Sequence, residues 1–261
     1  MRELSLPLPL DVRDLLDVLL LGMQQALHGE VIGVYLFGSV TLGAYDQGIS
    51  DVDLLACTTR DPDEAMLERL KRIHDRVVDS RPQWRDRVEV VYAGADSLRT
   101  FRERPHRIAR ISPGEDLNLR QADADWLIDW YQVLDSGITL FGVEPETVLP
   151  LLSTDEFRHA AWKQMHGWPG RLRPGLDPGY LSYIVLALAR GLHAVVNGQQ
   201  VSKEAGGRWV ASTWQEWSAL TAAAVRCRIE RHLDEPHALT TERVREFAHF
   251  ALERAARALG E

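Results

Sequence analysis

Residues 31–58 read VIGVYLFGSVTLGAYDQGISDVDLLACT. The stretch opens on an apolar, β-branched run, residues 31–37, which reads as a strand and breaks at Gly38-Ser39. After a loop that contains Gly43 and Gly48, Ser50-Asp51-Val52-Asp53-Leu54-Leu55 reads as a second strand with two carboxylates at its start. Along a strand, residues i and i+2 share a face, so Asp51 and Asp53 project together while Val52 and Leu54 face a core. Carboxylates held that close repel each other unless a cation lies between them. Mg²⁺ suits such a place, because it takes oxygen ligands from one or two carboxylates and the rest from substrate phosphates and water. Gly38-Ser39 offers close backbone approach and a hydroxyl donor to those phosphates, with a helix N-terminus expected to follow.

The flanking chain supplies the rest of an α/β unit. Residues 10–28 carry apolar side chains at helical spacing and end at Gly29. Asp61-Pro62-Asp63-Glu64 has the Pro and acids of a helix start, and the helix is expected to reach about residue 78. Residues 87–92 form a third strand. Glu89 lies inside it, and a buried carboxylate needs a partner. Two readings stand: Glu89 is solvated or paired with Arg85 or Arg87, or it points to the same face as Asp51 and Asp53. Residues 96–115 are basic and irregular, with Pro105 and Pro113 among them, and read either as a solvated loop or helix or as a segment that carries substrate. A helix over 122–135, a short strand over 138–142 and a connector over 145–152 follow.

Beyond that connector the chain reads as helical throughout. One strongly apolar helix covers 181–196 and stops at Asn197-Gly198; others are expected over 203–209, 213–231 and 241–259. The domain boundary is placed there, giving residues 1–152 and 153–261. The fold class is α+β: a small mixed sheet, then an all-α bundle. The chain has 261 residues and a net charge of −8, which argues against a broad nucleic-acid surface and suits a small cationic substrate. Cys57 and Cys227 are far apart and read as free thiols. No Cys cluster and no His pair with zinc-ligand spacing is evident. Met1-Arg2-Glu3 lacks a signal-peptide layout, and the apolar run 18–23 is too short to span a bilayer. A cytoplasmic, monomeric protein with no membrane or nucleic-acid partner is expected.

Gly38-Ser39 followed by Asp51-Val52-Asp53 resembles the nucleotidyltransferase superfamily of DNA polymerase β. In that superfamily a third carboxylate on a neighbouring strand completes the site. With Val185-Leu186-Ala187-Leu188-Ala189-Arg190 and residues 198–205, GQQVSKEA, the whole chain resembles the aminoglycoside (3″)(9) adenylyltransferases, which transfer AMP from ATP to a drug hydroxyl. The resemblance implies a polymerase-β-like N-terminal domain, ATP as co-substrate, two Mg²⁺ ions and a cationic aminoglycoside or aminocyclitol acceptor. It places the metal on Asp51, Asp53 and Glu89, makes Glu89 the catalytic base, and puts Gly38, Ser39, Arg190 and Lys203 on the ATP phosphates.

The chain departs from the family where the drug is gripped. Streptomycin-accepting members have a Trp after a Gly-Glu, where this chain has Gly114-Glu115-Asp116. They have an Asp where this chain has Tyr180, and a Tyr that falls near Arg228. The resemblance therefore favours spectinomycin over streptomycin, with Trp168 and Asp177 as the remaining aromatic and acid for the drug. Rival readings are an adenylyltransferase of another small molecule, or a protein-adenylylating transferase of the toxin–antitoxin type.

Overall fold

The computed structural model describes residues 8–122, 126–230 and 239–261. Two compact units divide the chain, one ending at Leu151 and the other starting at Leu152.

The first unit is built on six strands: β1 (Val31–Phe37), β2 (Val52–Thr58), β3 (Val88–Gly94), β4 (His106–Ser112), β5 (Glu115–Ala122) and β6 (Ile138–Gly142). Their order across the sheet is β5-β4-β3-β2-β1-β6. Only β2 and β3 are parallel among these neighbours. A parallel pair needs a crossover, and helix α2 (Glu64–Ser80) provides it. Asp63 caps α2 by accepting from the Met66 amide at 2.8 Å. The Asp61 carboxylate instead accepts from the Gly94 amide and the Ser97 hydroxyl, tying the β2–α2 turn to the end of β3.

Helix α1 (Leu10–Leu27) and α2 cover one face of the sheet. Leu15, Leu19 and Met23 from α1 and Leu70 and Ile73 from α2 pack on Val34, Leu36, Leu54 and Val90. Those strand residues alternate with Phe37, Asp53 and Glu89, which belong to the opposite face. Two shorter helices complete the unit, α3 (Ala95–Arg99) and α4 (Leu127–Ser136). Residues 123–125 of the helix expected over 122–135 lie outside the described residues, as does the Met1-Arg2-Glu3 start.

The segment expected over 96–115 as loop or helix is helical only to Arg99, in α3, and from His106 it is strand. β4 and β5 form a hairpin with Ser112 paired to Glu115 around Pro113-Gly114. The arginines suggested a solvated loop, but Ile108 and Ala109 are both fully buried, one on each face. Burial of the small and branched residues between the charges decides the conformation.

Helix α2 places a titratable group in this core. His74 is buried and its Nε2 is 2.9 Å from the Tyr92 hydroxyl. Burial disfavours the imidazolium and holds its pKa down at about 4. An unfolded chain binds that proton near pH 6.5, so the stability is present in full above pH 6.5 and is lost as pH falls. A loss of roughly 3 kcal/mol by pH 4 is expected. Denaturant titrations from pH 4 to 7 should show this slope in the wild type and a shallower one in His74→Gln. Parallel slopes in the two proteins would assign the acid sensitivity elsewhere.

The second unit is helical. α5 (Thr154–His166), α7 (Lys203–Thr213), α8 (Ser218–Glu230) and α9 (Thr241–Leu259) surround α6 (Pro178–Asn197) and all four contact it. A capping box of Ser153 and Glu156 starts α5. By length and composition α6 could cross a membrane, yet 67% of its apolar window is buried within the protein. It is the core helix of this unit. Residue 231 of the helix expected over 213–231 is outside the described residues, and that helix begins later, after a short turn at residues 215–217.

Candidate active site

Three carboxylates meet at the starts of β2 and β3. Parallel pairing sets Asp53 directly beside Glu89. Asp51 precedes β2 and, by the two-residue repeat, shares the side of Asp53. One oxygen from each of Asp51, Asp53 and Glu89 lies within 4.8 Å of the other two. All three residues are half-buried.

The chain leaves β1 directly over this cluster, since Phe37 pairs with Asp53. Gly38 follows at φ +79°, a backbone region that other residues enter at a cost. A Cβ on Gly38 would collide with the Asp53 carboxylate. Two independent constraints therefore require glycine here. The next residue, Ser39, has its Oγ buried with no hydrogen-bond partner among the described residues. A buried hydroxyl without a partner is costly, and a ligand oxygen is the kind of group that would satisfy it.

No helix follows Gly38-Ser39. The chain makes a single turn, with the Leu42 amide on the Gly38 carbonyl at 3.2 Å and the Ala44 amide on the Ser39 carbonyl at 2.9 Å, and then runs on in turns. Val40, Thr41 and Gly43 are poor helix residues, which explains the early stop. The expected helix N-terminus is thus corrected to a folded loop.

That loop is pinned where it rejoins β2. Arg87 donates from Nε at 3.1 Å and Nη2 at 2.7 Å to the Ser50 carbonyl, and its guanidinium lies 4.6 Å from the Trp84 ring centroid. Arg87 is therefore engaged in holding the residue before Asp51. Glu89 takes its cation from elsewhere: Arg110 on β4 donates from Nε at 3.1 Å and from Nη2 at 2.8 Å, both to Oε1. Burial raises the Glu89 carboxyl above its ordinary range; Arg110 opposes that, while Asp51 and Glu115 add to it.

The remaining expected site residues lie in the helical unit. Arg190 is half-buried on α6, and no hydrogen bond or ion pair ties its guanidinium to another described residue. Lys203 opens α7, with Nζ 4.2 Å from the Tyr183 ring centroid. Trp168 is buried and makes a T-shaped contact with Tyr183, centroids 5.5 Å apart. Asp177 is exposed and caps α6, accepting from the Tyr180 amide at 3.0 Å. Trp168 and Asp177 each have a structural role, and no described contact joins them.

The aminoglycoside adenylyltransferase C-terminal domain family matches residues 147–254. The nucleotidyltransferase domain family matches residues 19–97, which contain Gly38, Ser39 and all three carboxylates. The chain belongs to the aminoglycoside adenylyltransferase family. Among solved structures it resembles the spectinomycin adenyltransferase AAD(9) from Enterococcus faecialis, crystallised with ATP and spectinomycin. The TM-score is 0.74 at 18% identity, over 93% of this chain and 98% of that one, which is a likeness of fold. No curated protein matches the chain.

Metal-dependent chemistry fits the residues of this adenylyltransferase site. The donors are all carboxylate oxygens, which suit a hard divalent cation. They converge although they repel, and the orphaned Ser39 Oγ sits on the adjoining turn. Sequence reasoning missed Arg110, because the arginines of 99–110 read as one solvated basic tract. A signal for the hairpin, though not for the contact, was present: Pro113-Gly114 lies just before the alternating run 116–120.

Proposed function

We propose that the chain transfers AMP from ATP to a hydroxyl of an aminoglycoside or aminocyclitol, with spectinomycin the first candidate and streptomycin the weaker one. The observation that carries this reading is the convergence of Asp51, Asp53 and Glu89 under the Gly38-Ser39 turn. Asp51, Asp53 and Glu89 hold Mg²⁺, two ions by the family pattern. Bound there, the metal supplies charge neutralisation on the attacking and leaving oxygens.

The protein's own groups do the rest. Gly38 brings backbone close to the leaving phosphates and Ser39 Oγ donates to them. Glu89 accepts the proton of the acceptor hydroxyl as that oxygen bonds to the α-phosphorus and the bond to pyrophosphate breaks. A raised Glu89 pKa favours this, since it brings the base closer to the working pH. Arg190 and Lys203 neutralise the phosphates. Lys203 is a cation at the first position of α7, where the helix dipole disfavours positive charge, and an anionic ligand would offset that. Trp168 and Asp177 are assigned to the drug, and the enzyme is read as a cytoplasmic monomer.

A pyrophosphate-release assay with ATP and Mg²⁺ tests the reading against spectinomycin, streptomycin and kanamycin. Release stimulated by spectinomycin, and abolished by chelation, is the expected result. Release that none of the three stimulates would sink it.

A further inference from the structure

Arg110 is the one guanidinium on the carboxylate cluster among the described contacts, and its geometry is unusual in one respect. Both of its donors go to the same oxygen of Glu89, Oε1, rather than one to each oxygen. Oε2 receives no protein donor among the described residues. Arg110 reaches this position because it pairs across β3–β4 with Val91, two residues beyond Glu89 on the same face.

Arg110 is itself held in place. Its guanidinium carbon lies 5.2 Å from the Trp126 ring centroid, and Nη1 lies 3.8 Å from Glu115 Oε2. Glu115 in turn pairs with Arg120 at 2.6 Å, and that bond keeps its carboxyl below the ordinary range and so ionised. The result is a relay across three strands, Arg120–Glu115–Arg110–Glu89, ending at the cluster.

The geometry points to Arg110 as the positioning residue of Glu89. By occupying Oε1 it restricts Glu89 to serving a bound cation and the acceptor hydroxyl through Oε2 alone. A carboxylate free to offer both oxygens would grip the cation more tightly and leave neither oxygen aimed at the acceptor hydroxyl. Arg110 thus weakens metal binding and speeds turnover, whereas a residue needed only for folding would support both. This inference rests on the reading of the cluster as the metal and base site.

The test uses the full-length protein, with Mn²⁺ as probe, and reads Mn²⁺ affinity and pyrophosphate release separately. Removing a unit positive charge beside the ligands should tighten Mn²⁺ binding in Arg110→Met by about 3- to 10-fold. In the same variant kcat should fall about 10- to 100-fold, with KM for ATP unchanged. Arg110→Lys keeps the charge but not the two-bond fork, so its kcat should lie between the two while Mn²⁺ affinity holds. Wild-type kcat in Arg110→Met overturns the inference, as does a loss of Mn²⁺ affinity together with kcat. If Arg110→Met does not fold, Arg110→Lys decides, and an unchanged kcat overturns it. A wild-type chain that binds Mn²⁺ but releases no pyrophosphate with any acceptor defeats the transfer reading instead. The Mn²⁺ comparison then judges Arg110 by itself: tighter binding in Arg110→Met upholds the inference, and unchanged or weaker binding overturns it.

Discussion

Glu89→Gln is expected to fold, to bind ATP and to lose about 10²- to 10⁴-fold in kcat. The substitution keeps the shape of the side chain and removes its capacity to accept a proton. Folding should survive because Glu89 is a half-buried carboxylate whose burial already disfavours its charge. The amide is neutral and its oxygen can still accept from Arg110. ATP binding should survive because Asp51, Asp53, Ser39 and the Gly38 backbone are untouched. The decisive measurement is kcat and KM for ATP on the same preparation. Turnover near that of the wild type would remove Glu89 from the role of base and leave the cluster as a metal site alone.

The second large effect concerns a residue with no side chain. Gly38→Ala should lower stability by about 1–2 kcal/mol, the cost of a left-handed backbone for an ordinary residue. It should lower kcat by about 100-fold, because the new methyl displaces the Asp53 carboxylate and misplaced catalytic groups cost that much. Gly43→Ala is the control. Gly43 also has positive φ, at +64°, but nothing lies within 4 Å of a Cβ there. It should show a similar stability loss with nearly unchanged turnover. Denaturant unfolding and kcat for the two variants separate backbone strain from collision with Asp53. Equal turnover in both would mean that Asp53 does not need the space Gly38 leaves.

Several elements could be read without coordinates for a common reason: their signal is local. The apolar run of β1 is bounded by Val31 and Phe37 in the sequence pattern and in the sheet alike. The periodicity of α9 likewise ends where the helix ends, at Leu259. The Asp51–Asp53 pair needed only the two-residue repeat of a strand. A resemblance in residues 31–58 and 185–205 was enough to point to the family that the domain matches then showed. Where local signals conflicted, the reading failed. The β4–β5 hairpin carries arginines that suggested solvent, and the strand is decided by burial of Ile108 and Ala109 on two different faces.

The sequence by itself determined strands β1, β2, β3 and β6 with helices α1 and α2 between and before them, the paired aspartates and the glycine–serine break that accompanies them. Tertiary structure alone decided which basic residue meets Glu89. Arg85 and Arg87 are near it along the chain, but Arg87 is turned to the Ser50 carbonyl, and the partner is Arg110 from a strand 21 residues away. It also decided that Gly38 must be glycine, through contact with Asp53 rather than through its turn alone. Both are properties of strand register. Register brings together side chains whose separation in sequence carries no trace of the contact, so no local pattern could have announced them.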